Sequence, residues 1–279
     1  MNNQNNKSGA AKDSEDIGND KIHKLLASAG LGSRREMERW IIAGRIKINK
    51  KLAQIGDRVS STDRVTVDDK PLANKGVFLS RSRVILYNKP VGIICTKKDP
   101  KGRKTVYDAI PSINKAGRWI SVGRLDINTS GLLLFTTDGE LANRLMHPSY
   151  EITREYAVRV FGEVSDENFE KIKAGVEIDG KLAKFESVTS QGGEAQNHWY
   201  NCTIKEGRNR EVRKIWETLT VRVSRLIRIS YANVTLPKGL SIGKAEELTP
   251  DEVNQLRALV GLHKFVYPEK MKSVKRRRV

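Results

Sequence analysis

The chain has 279 residues and only two cysteines, Cys95 and Cys202, which are far apart and form no Cys-x-x-Cys pair. Such sparse cysteine excludes a disulfide framework and a cysteine-rich zinc site, and it suits a reducing, cytoplasmic setting. Four scattered histidines assemble no metal site, so no metal is expected. Uninterrupted apolar runs of about 18 residues are missing, which argues against a membrane span and a membrane partner. The opening MNNQNNKSGAAKDSED has no apolar segment of the secretory kind. Glycine-rich cofactor loops are also missing: no Gly-x-Gly-x-x-Gly follows a strand, and no Gly-x4-Gly-Lys-Ser/Thr is present. A dinucleotide enzyme, a P-loop enzyme and an RNA methyltransferase with such a loop lose support. The His-x-Glu and Pro-Cys-x-x-Cys signature of zinc deaminases is absent too.

What the chain has in excess is positive charge. It holds 51 Lys and Arg against 33 Asp and Glu, a net of +18, which raises phosphate-rich partners. Residues 1–19 are polar, without hydrophobic period, and read as disordered. From Lys21 the pattern becomes helical. Ile22, Leu25 and Leu26 mark a short helix ended by Gly30; Ser33 and Glu36 form a capping box for a second, with Met37, Trp40 and Ile41 on one face. Alternating Ile46 and Ile48, then Val59, Val65 and Val67, predict small strands. Residues 21–68 carry eleven Lys and Arg against five Asp and Glu. Arg34, Arg35, Arg39, Arg45 and Lys47 crowd one helix and its exit, which favours a phosphate-binding surface over an ordinary solvated face.

Residues 69–83 read as a polar linker and 84–262 as a second domain. Residues 263–279, ending in KRRRV, read as a basic tail that adds loose phosphate affinity. In the second domain a capping box at Thr137 and Glu140 predicts one helix, and Phe169, Ile172 and Gly175 outline another. Val212, Ile215, Trp216 and Leu219 give a third its apolar face, and Thr249 with Pro250 opens a fourth. Strands outnumber helices without strict alternation. The expected fold class is therefore α+β, with a mixed, largely antiparallel sheet and a small N-terminal domain.

Candidate chemistry sits at the ends of apolar strands: Lys89, Arg124, Asp126, Arg154, Tyr156, Arg208, Arg210, Arg213 and Arg228. Leu132–Phe135 are continuously apolar and suit a strand buried on both faces, with Asp126 at its mouth. Alone, Asp126 is an ordinary turn or ion-pair residue and Tyr156 ordinary strand packing. Together, one carboxylate, one phenol and several guanidiniums suit chemistry on a nucleotide that needs neither metal nor cofactor.

Two resemblances sharpen this. LGSRREMERWIIAGRIKIN (31–49), running into a hairpin, resembles the small α-L RNA-binding module of a ribosomal small-subunit protein and several RNA enzymes. It implies RNA held by shape and backbone over residues 20–68. NKPVGI (88–93), GRLDINTSGLLLFTTDGELANRLMHPS (123–149), REYAVRV (154–160) and EGRNREVRKIWETL (206–219) resemble the motifs of the RsuA/RluB group of bacterial rRNA pseudouridine synthases. The likeness covers residues 21–255. Glu211 departs from the Gln-Ile-Arg pattern frequent in that family.

This second resemblance implies isomerisation of a uridine to pseudouridine in ribosomal RNA, without a cofactor. The subgroup's pattern implies large-subunit (23S) rRNA near the peptidyl-transferase region, as free RNA or in a partly assembled subunit. Asp126 matches the indispensable carboxylate, which either attacks the sugar carbon or removes a sugar proton. Arg213 matches its cationic partner, Tyr156 the aromatic under the flipped base, and Arg124 the residue that fills the stack once the uridine leaves it. Lys89, Arg208, Arg210 and Arg228 are expected to contact RNA. The competing reading is a non-catalytic rRNA-binding or assembly factor, which has no need of Asp126, Tyr156 and Arg213 together.

Overall fold

In the N-terminal unit, helix Arg34–Ile42 starts where its sequence says it should. The Ser33 hydroxyl accepts the Glu36 N–H, and the Glu36 carboxylate accepts the Ser33 N–H. This reciprocal cap satisfies two of the helix's free donors, typically worth about 1 kcal/mol. The helix buries Met37 and Ile41 against Ile22, Leu25 and Leu26 of helix Ile22–Ser28, with Ile46, Val59 and Val65 closing the core. The computed structural model describes residues 20–60, 62–72, 82–113, 117–162, 164–194, 196–268 and 276–279. The expectations for residues 1–19, for 73–81 of the linker and for 269–275 of the tail lie outside the described residues.

The chain divides into two units, Met1–Ser80 with Ile113–Arg118, and Arg81–Ser112 with Trp119–Val279. In the first, Ile46–Ile48 pairs with Lys51–Leu52 and Val65–Val67, and Val65–Val67 pairs with Lys70–Pro71. Leu72 N donates to Val65 O at 2.9 Å. The start of the expected linker is therefore a strand of this domain. Pro71 fits because it lies on the outermost strand, where a missing N–H costs no ladder bond.

The second unit is built on a ten-stranded sheet. Its main path runs Ser187–Glu194, Asn197–Ile204, Arg154–Phe161, Arg222–Tyr231, Ser130–Thr136, Val84–Lys89, Ala245–Glu247, Arg277–Arg278. Every described ladder is antiparallel except one: Arg222–Tyr231 runs parallel to Ser130–Thr136, with Ile227 opposite Ser130 and Arg228 opposite Gly131. The α+β, largely antiparallel expectation holds. Two antiparallel halves meet at this single parallel seam.

Leu132, Leu133, Leu134 and Phe135 are fully buried, which explains a strand without polar alternation. One of its faces packs with helices Gly139–Met146 and Pro250–Leu259 through Leu141, Leu145, Val253 and Leu256. In the other half of the sheet, Trp216 of helix Glu211–Glu217 lies 5.0 Å from the Tyr200 ring, and Phe169 of helix Asp166–Ala174 lies 5.2 Å from it.

Two expectations shift. The cap of helix Gly139–Met146 is Asp138, whose carboxylate accepts from Glu140 N and Leu141 N, in place of Thr137. Residues 263–268 also belong to the domain. Tyr267 is buried and its hydroxyl donates to Ser82 O, while Asn254 hydrogen-bonds the main chain of Phe265. Farther on, Arg277–Arg278 pairs with Glu246 and Glu247. Sparse aromatics in a basic stretch conceal such docking.

The parallel seam demands glycine. Gly131 has φ +101°, and a Cβ there would lie 2.3 Å from Arg228 O and 2.8 Å from Arg228 N. Both clashing atoms are backbone, so the strands must part. Gly131→Ala is expected to lower unfolding free energy by at least about 3 kcal/mol. A thermal or urea melt of the purified variant that matches the unsubstituted protein would refute the seam's tightness.

Candidate active site

Strand Val84–Lys89 ends at the seam, where Lys89 pairs with Gly131. The Lys89 side chain is completely buried. Its ammonium donates to Thr129 O (2.8 Å), Pro90 O (3.0 Å) and Asp126 O (3.1 Å). Three donors meet three carbonyls, which is the full capacity of an ammonium. Burial pushes the Lys89 pKa down, while the charges of Cys95 and Asp126 oppose that fall.

The loop between Gly123 and Ser130 is tied through main-chain atoms of Leu125, Asp126, Ile127, Asn128 and Thr129. Leu125 N donates to Cys95 Sγ at 3.4 Å, Ile127 O accepts from Gly92 N at 2.7 Å, and Asn128 O accepts from Arg213 at 2.9 Å. Thr129 N closes a turn onto Asp126 O at 3.1 Å. The Asp126 carboxylate takes no part in these ties. Half-buried, it has no hydrogen bond or ion pair among the described residues. It nonetheless acts electrostatically on two buried cations, Lys89 and Arg213, favouring the charged form of each.

Arg213 comes from helix Glu211–Glu217 and is 5% exposed. Its terminal nitrogens donate to Val223 O (3.1 Å) and Asn128 O (2.9 Å), so it grips the Asp126 loop by the main chain and makes no direct carboxylate contact. Its Nε is buried without a partner. Burial pushes its pKa down, and Asp126 counteracts this. Tyr156 lies on strand Arg154–Phe161 between Cys202 and Arg228 of the flanking strands. Together with Asp126 and the exposed Arg124 it lines a cavity of about 880 Å³, roughly the upper range of small-ligand sites. Asp126, Tyr156 and Arg124 thus face one space, with Arg213 behind the loop. Among the described residues no three His, Cys, Asp or Glu side chains group to hold a metal ion.

The remaining basic residues divide by burial. Lys89 and Arg228 have no surface to offer an RNA backbone. Arg228 is 2% exposed, donates from Nε to Leu132 O at 2.7 Å and stacks 5.0 Å from the Tyr231 ring, although it borders the cavity. Arg208 binds Glu206, Glu211 and Leu182 O. Arg210 takes the left-handed conformation (φ 53°) and pairs loosely with Glu217 at 3.4 Å. In the N-terminal unit Arg34, Arg35 and Arg39 are exposed and make no ion pair among the described residues. Arg45 lies 4.0 Å over Trp40 and pairs with Asp68, and Lys47 pairs with Asp69. Such exposed pairs are worth at most about 1 kcal/mol.

Sequence reading missed Cys95, Gly92 and the role of Glu211. Glu211 is buried, and its carboxylate accepts from Arg208 N and pairs with Arg208 Nε, both at 3.0 Å. Burial pushes its pKa up. The departure from Gln noted above was the available signal.

Replacing Lys89 by Met should strip three buried carbonyls of their donor and cost roughly 3–5 kcal/mol; chemical denaturation measures it, and a cost under about 1 kcal/mol contradicts the assigned role. Glu211→Gln tests linkage. A raised carboxyl pKa stabilises the fold below the ordinary glutamate range, and that stability is lost as pH rises through the raised value. Melts from acid to neutral pH should therefore show a decline in the parent that is smaller in the variant.

The comparisons with known proteins converge on one family. A model for RNA pseudouridylate synthase matches residues 83–218, and an S4 domain model matches 21–65. The chain is 50% identical over 250 residues to ribosomal large subunit pseudouridine synthase B of Pseudomonas aeruginosa, covering 89% of this chain and 64% of that one. It is 51% identical over 245 residues to the proteins of that name from Yersinia pestis and Escherichia coli K12, covering 87% of this chain and 77% and 84% of theirs. A crystal structure of pseudouridylate synthase aligns with a TM-score of 0.58 at 26% identity, covering 85% of this chain and 99% of that one. With half of its residues shared along most of its length, and its Arg-Leu-Asp loop pinned beside an open cavity, the chain belongs to the RNA pseudouridylate synthase family.

Proposed function

We propose that this protein isomerises one uridine of large-subunit ribosomal RNA, near the peptidyl-transferase region, with Asp126 as the catalytic carboxylate. The observation that carries the reading is the state of Asp126. Its main-chain carbonyl accepts from Lys89 and Thr129, while its carboxylate lines a nucleotide-sized cavity with no hydrogen bond or ion pair among the described residues. A structural ion pair, the plainer role for this aspartate, is not made among the described residues. The half-identical relatives, which are ribosomal large subunit pseudouridine synthases B, support the RNA class.

The reaction breaks the bond between uracil N1 and the sugar C1′ and forms one between C5 and C1′. The C5 hydrogen is lost and N1 gains a proton, so composition and oxidation state are unchanged. Asp126 either attacks the sugar carbon or removes a sugar proton. Both routes use the ionised carboxylate. Lys89 and Arg213 fix the loop's position through its carbonyls. Tyr156 offers a ring to stack on the base as it turns and a hydroxyl able to move a proton. Arg124, exposed at the cavity rim, is placed to occupy the gap left by a flipped base, an extrusion costing a few kcal/mol. Exposed Arg34, Arg35 and Arg39 of the S4 domain would grip phosphates.

Asp126→Asn is nearly isosteric and removes no hydrogen bond made by the side chain. It should retain thermal stability and rRNA binding yet abolish pseudouridine formation, read by mapping pseudouridine in rRNA from cells carrying only the variant. Substantial conversion by the variant would refute the carboxylate's role. Loss of the gene without loss of any rRNA pseudouridine would favour the assembly-factor reading.

A further inference from the structure

The cavity occupies one face of strands Asn197–Ile204, Arg154–Phe161 and Arg222–Tyr231, the face that carries Tyr156 and Leu226. Side chains alternate across a sheet, so the neighbours of these residues look the other way. That reverse face shows an arginine–aromatic cluster. Arg159 sits between Trp199 on one flanking strand and Arg225 on the other, and Phe161 sits between Asn197 and Arg222. Phe161 is 48% exposed, Trp199 is half-buried, and Arg222 and Arg225 are exposed.

The cluster is organised by a bulge. Register slips between Arg159 and Val160, leaving Ser224 as an extra residue between Arg225 and Val223. Ser224 Oγ accepts from Arg159 Nε at 2.9 Å and donates to Arg159 O at 3.0 Å. The Arg159 guanidinium is thereby held over the Trp199 ring, 5.8 Å from its centroid. Bulges re-aim side chains in this way and recur at functional surfaces.

Arg222 and Arg225 make no hydrogen bond or ion pair among the described residues. The nearest acidic residue along the central strand, Glu155, is four positions from Arg159, roughly 13 Å away. Glu194 lies at the sheet edge opposite Asn197. Three guanidiniums beside two aromatic rings, with no carboxylate between them, complement a strand of phosphates and bases.

We infer that this reverse face binds a second stretch of single-stranded RNA, separate from the nucleotide in the cavity. Trp199 and Phe161 stack bases, and Arg159, Arg222 and Arg225 hold phosphates. The inference rests on the RNA-modifying reading for its ligand class, but not on the catalytic role of Asp126.

The test uses the full chain and a fluorescently labelled oligoadenylate of about 12 nucleotides, which contains no uridine and so reports nothing about isomerisation. Anisotropy titrations are run across a potassium chloride series. The variant carrying Arg159→Gln, Arg222→Gln and Arg225→Gln should bind more weakly, with a salt slope smaller by about 2, at roughly 0.7 per phosphate lost. Trp199→Ala should weaken binding about tenfold at an unchanged slope, the scale of one base stack. Because Arg159 and Trp199 pack partly into the sheet, the exposed pair Arg222→Glu and Arg225→Glu gives an independent reading and should weaken binding at least as much as the triple variant. Parental affinity and slope in the charge-reversed protein would overturn the inference and leave the face to an acidic protein partner. Such a result would not touch the isomerase reading, which stands or falls on uridine conversion.

Discussion

The active-site region depends on one buried cation. Lys89 lies at the end of an apolar strand, beyond reach of water, and spends all three donors on the main chain at Pro90, Asp126 and Thr129. Burying an unpaired ammonium would be prohibitive, so the loop must close around it for the domain to fold. The consequence is a tied backbone from Leu125 to Thr129 that leaves the Asp126 carboxylate at the cavity. Arg213, Gly92 and Cys95 add the remaining ties. Stability and preorganisation share one cause here, because the contacts that satisfy the lysine are those that aim the carboxylate.

This arrangement separates two kinds of arginine that look identical in sequence. Arg154, Arg213 and Arg228 are buried and bind carbonyls or stack on Tyr231. Arg34, Arg35, Arg39, Arg124, Arg222 and Arg225 are exposed and bind no protein oxygen among the described residues. A net charge of +18 therefore overstates the charge available to a polyanion, since part of it serves as internal scaffold.

Much of the architecture was legible because the local signals were strong. Ser33 and Glu36 announced a capped helix, and Thr249 with Pro250 another. The unbroken run Leu132–Phe135 announced a strand buried on both sides. Motif likeness brought Asp126, Tyr156 and Arg124 to one cavity. What stayed hidden was set by long-range geometry. Nothing local distinguishes Lys89, 40 residues from its partner Thr129, from a surface lysine. Strand Lys70–Pro71 is too short for any periodicity, and the docking of Tyr267 depends on Ser82, 185 residues away. The Asp138 cap was misread by one residue because Thr137 offers the same chemistry beside it.

The parallel seam also governs when the enzyme comes into being. Gly131 meets Arg228 from 97 positions away in sequence, and pairings of such separation form slowly because a long loop must close first. The Asp126 loop feeds directly into that seam, while Tyr156 and Arg228 stand on its far side. A chain that ended before Arg154 would hold the Asp126 loop and the wall from Ile94 to Arg103, but not the opposite wall that carries Tyr156, Leu226 and Arg228. The two walls come to face one space only where Arg222–Tyr231 pairs with Ser130–Thr136, so this long-range pairing is also the one that completes the cavity.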